Sequence, residues 1–364
     1  MKFLYAFLLL FAVKQASAQT DTAASPNIFI ITTDGFRWQE IFSGADPDLL
    51  FDPAYVNDTA TLRAMYWDDD PAVRRRKLMP FLWNYIAARG QIWGNRNYDN
   101  NISVANPYHL SYPGYNELLS GYADRAVMTN KAKNNRNSNL LGYLNTVPEY
   151  KDRVAFFGSW KLFSYIVNGA KNKIPLNCGY GSATGDSLST AEETVNYLQE
   201  EWEDTSMATR NDMLTFTLAK AYISKKHPRI VYIGFGETDE FAHHGRYDSY
   251  LDQANLFDKF LAELWNLIQQ DAFYKNKTAL FITTDHGRGS SPAKWPVHGP
   301  FVKGSADTWF VQLGPRIAAL GEMKEKTEIT ADQFAQTIAS YLGERFIADH
   351  PVAEPGYALL PTVK

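Results

Sequence analysis

The chain has 364 residues, of which 45% are hydrophobic and 21% charged, ample for a large core. A formal charge of −4 without a long basic run argues against electrostatic capture of nucleic acid. The single cysteine, Cys178 in "NCGYG", rules out an intramolecular disulfide and has no adjacent His to activate it, so it reads as a structural or surface thiol.

Residues 1–18 read as an export signal: Lys2, the apolar run "FLYAFLLLFAV", then "ASA" at 16–18, with cleavage before Gln19. The run is too short to span a bilayer, and no later segment reads as a membrane anchor. Loss of Lys2 and Lys14 takes the net charge to −6. The expectation is an exported protein, periplasmic or secreted, with one catalytic domain over 19–364.

The first strand-like run, 28–33, ends in "TTDG" and delivers Asp34. Residues 45–79 and 124–150 read as insertions, and the "DDD" and "RRRK" runs in the first as solvated loop faces. Asp68, Asp69 and Asp70 lack the alternate spacing of a calcium loop. "MPFLWNYIAARG" at 79–90 reads as a helix. In "NPYHLSYPGYNELLSG" (106–121), Pro113 suits the first turn of a helix, which puts Ser111 where free backbone N–H groups stabilise an anion. His109 reads as a loop histidine within reach of substrate. A second strand, 153–157, leads into "GSWKLF" with Lys161.

Two helical stretches follow, 190–202 and 211–226, and then a strand at 229–235 running into "TDEFAHHG". Asp239 and His243 are four apart, so on a helix they share a face and suit one metal; His244 points elsewhere. After the amphipathic stretch 247–269, a strand at 278–284 ends in Asp285 and His286, and "WPVHGP" supplies His298. A last strand covers 308–313. Strands alternating with helices predict an α/β fold, a largely parallel sheet sandwiched by helices, with ligands at the carboxyl ends of the strands. Three Asp and three His at such ends form a ligand set of the kind that holds zinc.

In their order along the chain, "TTDG", Ser-Tyr-Pro-Gly, "TDEFAHHG", "TTDHG" and "VHG" resemble the alkaline phosphatase superfamily. The similarity is greatest to its nucleotide pyrophosphatase/phosphodiesterase branch and related exported phosphatases. The resemblance implies two zinc ions, or other divalent transition metals: one on Asp239, His243 and His298, the other on Asp34, Asp285 and His286. It implies Ser111 as a nucleophile that forms a phosphoserine, and Asn130 on the phosphoryl group, with Asn134 and Asn135 as alternatives. The branch carries Thr at the nucleophile and an Asn–His pair after the Pro; here stand Ser111, Gly114 and Tyr115. The sulfatase pattern fails because Tyr115 stands where Arg is required. Lys161 is a phosphate-binding candidate, with Phe163 where related monoesterases have Arg. The implied substrate is a small phosphate ester, monoester or diester. A phosphomutase of the same superfamily is the alternative enzyme, weakened by the export signal. A non-catalytic binding protein on a phosphatase scaffold is weakened by the complete ligand set. Leaving group and oligomeric state stay open.

Overall fold

The first strand of the computed structural model is buried along its whole length, as an unbroken apolar run in a parallel sheet must be. The structure describes residues 26–201 and 209–361, so the export signal and Trp202 lie outside the described residues. Eleven strands are described: β1 (Asn27–Thr33), β2 (Gln91–Trp93), β3 (Asn100–Ser103), β4 (Val154–Gly158), β5 (Leu176–Cys178), β6 (Ile230–Phe235), β7 (Thr278–Thr283), β8 (Asp307–Thr308), β9 (Phe310–Leu313), β10 (Gly321–Glu322) and β11 (Thr327–Thr330). Eight form one sheet in the order β10-β2-β9-β7-β1-β6-β4-β5, in which β9 alone runs against the rest. A second sheet has the order β11-β3-β8.

Alternation along the central strands builds the two cores. Phe29, Ile31, Val231, Ile233, Leu280 and Ile282 point to one face, where the helices Asp212–Lys226 and Tyr247–Gln270 pack. Ile28, Ile30, Tyr232 and Phe281 point to the other, beneath the helices Ser111–Ser120 and Gln333–Tyr341. The parallel register pairs Thr33 with Phe235 and Thr32 with Thr283. Asp34, the helix beginning at Glu237, and Asp285 therefore leave the sheet side by side.

Three local expectations change. The helix read over 79–90 is two short pieces, Pro80–Asn84 and the 3-10 turn Ile86–Ala88. The tighter second turn lets Leu82, Trp83 and Ile86 all face the core. The strand read over 308–313 is divided between the two sheets: β8 and β9 flank Trp309, whose buried indole donates to the Phe36 carbonyl. The "RRRK" run is only half a solvated face: Arg76 and Lys77 are exposed, but Arg74 and Arg75 turn inward. Arg74 is buried, stacked on Trp67 and bonded to the Ser43 carbonyl, and Arg75 lies over Trp83 and pairs with Glu322. Asp70 caps the helix Pro71–Leu78 that carries them. Leu49, Leu62 and Leu78 from 45–79, and Leu140, Leu141 and Leu144 from 124–150, belong to the two cores.

Candidate active site

All six Asp and His candidates and Ser111 converge at the carboxyl ends of β1, β6 and β7. Asp34 follows β1 directly, and Asp285 and His286 follow β7. Asp239 and His243 lie in the helix Glu237–His243, and His298 reaches in from the loop before β8. The N-terminus of the Asp239 helix is secured by Asp212, whose carboxylate accepts from the Gly236 and Glu237 N–H groups.

Asp34, Asp285 and His286 form one group. His286 Nε2 lies 3.3 Å from Asp34 Oδ1 and 3.4 Å from Asp285 Oδ2. His286 Nδ1 donates to the Gly287 carbonyl at 2.9 Å, which leaves the Nε2 lone pair facing the carboxylates. Asp34 Oδ2 accepts from Tyr115 Oη at 3.2 Å, and Asp285 Oδ1 from the Gly35 N–H at 3.1 Å. Asp34 Oδ1 and Asp285 Oδ2 are buried without a hydrogen-bond partner. Burial, reinforced by neighbouring carboxylates, pushes both acids well above the usual carboxylate range. Two orphaned carboxylate oxygens and an imidazole lone pair at one point are the donor set of a divalent cation, so these residues fit a metal.

Asp239, His243 and His298 form the second group. His243 Nε2 is 3.0 Å from Asp239 Oδ2 and 3.1 Å from His298 Nε2. His298 Nε2 is 3.8 Å from Asp239 Oδ1, and the His286 and His298 rings stack with centroids 3.8 Å apart. Asp239, His286 and His298 also present one ligand atom each to a common point, so His286 lies between the two groups. His298 Nδ1 donates to the His109 carbonyl at 2.8 Å, again freeing Nε2. Burial lowers the His298 pKa well below its ordinary value, with the nearby His286 acting in the same direction.

Ser111 opens the helix Ser111–Ser120, and its Oγ lies 3.3 Å from His286 Nε2. Pro113 has no N–H and the Tyr112 N–H donates to Asn130 Oδ1 at 2.9 Å, so Ser111 keeps the first-turn N–H available to an anion. Gly114 lets this helix meet the end of β7, since a Cβ there would collide with the Asp285 carbonyl. Asn130 thus stands beside the nucleophile candidate. Asn135 is buried against Asn116, and Asn134 is exposed. Lys161 lies exposed on the turn after β4, and its ammonium makes no ion pair among the described residues. Phe163, in the position of the missing Arg, is core, packed on Tyr115 at 4.5 Å between ring centroids. Cys178 is half-buried, and burial pushes its thiol up to about 12, as suits a structural thiol.

Three contributors escaped the sequence reading. Tyr115, read only as a departure, donates to Asp34. Arg288, two residues after His286, is buried and pairs with Asp239. Glu117 accepts from the Ala105, Asn106 and Asp332 N–H groups and so fixes the turn that feeds His109 and Ser111; burial pushes it up to about 7.

The whole arrangement has the fold of the alkaline phosphatase superfamily. Alkaline phosphatase PafA is similar at 9% identity, with a TM-score of 0.61 over 92% of this chain and 99% of that one. The phosphonate monoester hydrolase of Agrobacterium radiobacter is similar at 12% identity and TM-score 0.53, over 93% of this chain and 78% of that one. A 2-O GAG sulfatase matches at 15% identity and TM-score 0.54, over 92% and 74%. No curated protein matches in sequence. Residues 65–350 match the type I phosphodiesterase / nucleotide pyrophosphatase family, and the chain belongs to it. It is a phosphoric ester hydrolase of a metal-dependent superfamily. Among the described residues no helix is long and apolar enough to cross a membrane.

Proposed function

We propose that the protein is an exported phosphohydrolase that holds two zinc ions and cleaves small phosphate esters through a phosphoserine on Ser111. The single observation that carries this reading is the place of the Ser111 hydroxyl, 3.3 Å from His286 Nε2, where the two ligand groups meet. Asp34, Asp285 and His286 would hold one ion, and Asp239, His243 and His298 the other. Bound divalent metal would supply charge against the non-bridging phosphoryl oxygens and favour the serine alkoxide. Ser111 Oγ forms a bond to phosphorus as the ester P–O bond breaks, and the leaving oxygen departs as the alcohol. Water then cleaves the Oγ–P bond, restores the hydroxyl and releases phosphate or its monoester. The Ser111 N–H and the Asn130 amide, whose oxygen is committed to Tyr112, orient the phosphoryl group. The catalytic domain would be the whole of 19–364 after removal of residues 1–18, in the periplasm or outside the cell.

Ser111→Ala tests the covalent step. It should abolish turnover of p-nitrophenyl phosphate and bis-p-nitrophenyl phosphate while metal content and melting temperature stay at wild-type values. Near wild-type hydrolysis by this variant would overturn the phosphoserine mechanism.

A further inference from the structure

The two ligand groups differ in a way that bears on how metal enters, an inference that rests on the two-metal reading above. We propose that Arg288 is a built-in counter-cation of the Asp239 group. The Asp34–Asp285–His286 group then fills first and tightly, and the Asp239–His243–His298 group second and more weakly.

Among the described residues the first group makes no ion pair with a basic side chain other than His286, and the Arg288 charge reaches Asp34 only from a distance. Its two orphaned oxygens, Asp34 Oδ1 and Asp285 Oδ2, lack any internal partner that a metal would have to displace. In the second group every ligand atom is already engaged. Arg288 Nη1 pairs with Asp239 Oδ1, and Asp239 Oδ2 faces His243 Nε2 at 3.0 Å. A guanidinium can only donate, so its Nη2, 3.4 Å from His243 Nδ1, makes that nitrogen the acceptor and leaves the ring proton on Nε2. That proton points into the group, at Asp239 Oδ2 and at His298 Nε2 3.1 Å away. A metal bound there competes with the guanidinium for Asp239 Oδ1 and sits beside its charge.

Arg288 cannot withdraw to make room. Its side chain is buried, Nε donates to the Trp295 carbonyl at 2.8 Å, and Nη2 donates to the Pro296 carbonyl. The charge is thus fixed beside Asp239 whether or not metal is bound. A fixed monocation paired with a ligand of a dication lowers the dication's affinity by at least about tenfold even where His243 opens the site to water.

The test is calorimetric titration of the chelator-stripped full chain with Zn2+ against a competing chelator, with bound metal counted by elemental analysis. Wild type should bind in two phases separated by at least about tenfold in Kd. Arg288→Met should tighten the weak phase by at least about tenfold and move the strong phase by less than about threefold. Arg288→Lys keeps the charge, so its weak phase should stay weak, which a purely structural role would not predict. Independently of how the Arg288 variants fold, Asp34→Asn should remove the strong phase and Asp239→Asn the weak one. One ion in wild type with two in Arg288→Met also supports the proposal. Two equal phases in wild type, an unmoved weak phase in Arg288→Met, or loss of the strong phase in Asp239→Asn would overturn the order of filling and leave the two-metal reading standing. No bound zinc, or one ion in every variant, would overturn that reading itself.

Discussion

Tyr115→Phe should weaken metal binding without weakening the fold. The ring is buried and packs on Phe163, and Phe keeps that contact, so the substitution leaves no cavity. The loss that bears on metal is the hydrogen bond, 3.2 Å long, from the hydroxyl to Asp34 Oδ2. A hydrogen bond to a charged group contributes about 1.5–3 kcal/mol, but only while Asp34 is ionised. In the metal-free protein burial pushes Asp34 toward its neutral form, which needs that donor less. Metal binding requires the carboxylate. The loss therefore falls on the metal-bound state, about ten- to a hundredfold in Kd, as for other groups that orient a metal ligand. Zinc Kd by chelator competition and the melting curve in EDTA separate the two states. The EDTA curve should move by less than about 1 kcal/mol equivalent, and kcat at saturating zinc should stay within a few-fold. An unchanged Kd, or a loss of about 3 kcal/mol in the chelated protein alone, would refute the argument.

Three further outcomes are expected. Gly114→Ala should cost about 1–3 kcal/mol and most of the activity, because the added methyl forces the Ser111 helix off the Asp285 carbonyl; a wild-type melting temperature would contradict this. Lys161→Ala should lower kcat/KM for p-nitrophenyl phosphate about fivefold and change bis-p-nitrophenyl phosphate less. An exposed ammonium that reaches a dianion contributes roughly 1 kcal/mol through water, so equal losses on both esters would show that it does not read the extra charge. Stability in EDTA should fall as pH rises from about 4. Asp34, Asp285 and Glu117 have folded-state pKa values above the unfolded ones, so their contribution is present below about 4 and is lost as pH climbs through the raised values, about 7 for Glu117. Melting curves between pH 5 and 8 should show the decline and its reversal by zinc, whereas a rise with pH in EDTA would contradict it.

The central strands and the residues at their ends were legible because the signal is local: an apolar run that stops at a polar Gly-containing turn. β2 and β10 were not, since two or three residues carry no periodicity. Arg288 stands in the same "TTDHGRG" stretch as two ligand candidates, yet nothing near it in sequence says that its guanidinium turns back to Asp239, 49 residues earlier. Tyr115 read as a mismatch with a family pattern because its hydroxyl acts on Asp34 across 81 residues. The family match begins at residue 65 and leaves Asp34 out, while the β1–β7 register brings it beside Asp285. Arg74 and Arg75 looked like surface charge because composition does not show that Trp67 and Trp83 lie beneath them.

His298 is aimed by a main-chain oxygen, the carbonyl of His109, and that residue has φ of 49°. Ordinary substitutions can change the imidazole of residue 109 but cannot delete its carbonyl, so an alanine scan would score the position by its side chain and miss its task. What the position filters is backbone shape. Glycine and asparagine accept a left-handed conformation, whereas valine and isoleucine resist it. The His109 imidazole also faces the Gly299 carbonyl at 3.3 Å, so diverging copies of this enzyme can replace it at the loss of that contact, provided the new residue tolerates the conformation, while the histidine it aims stays fixed. A deep mutational scan would show this as tolerance sorted by branching at Cβ rather than by charge or size, and a proline, locked at negative φ, would be the most damaging replacement there.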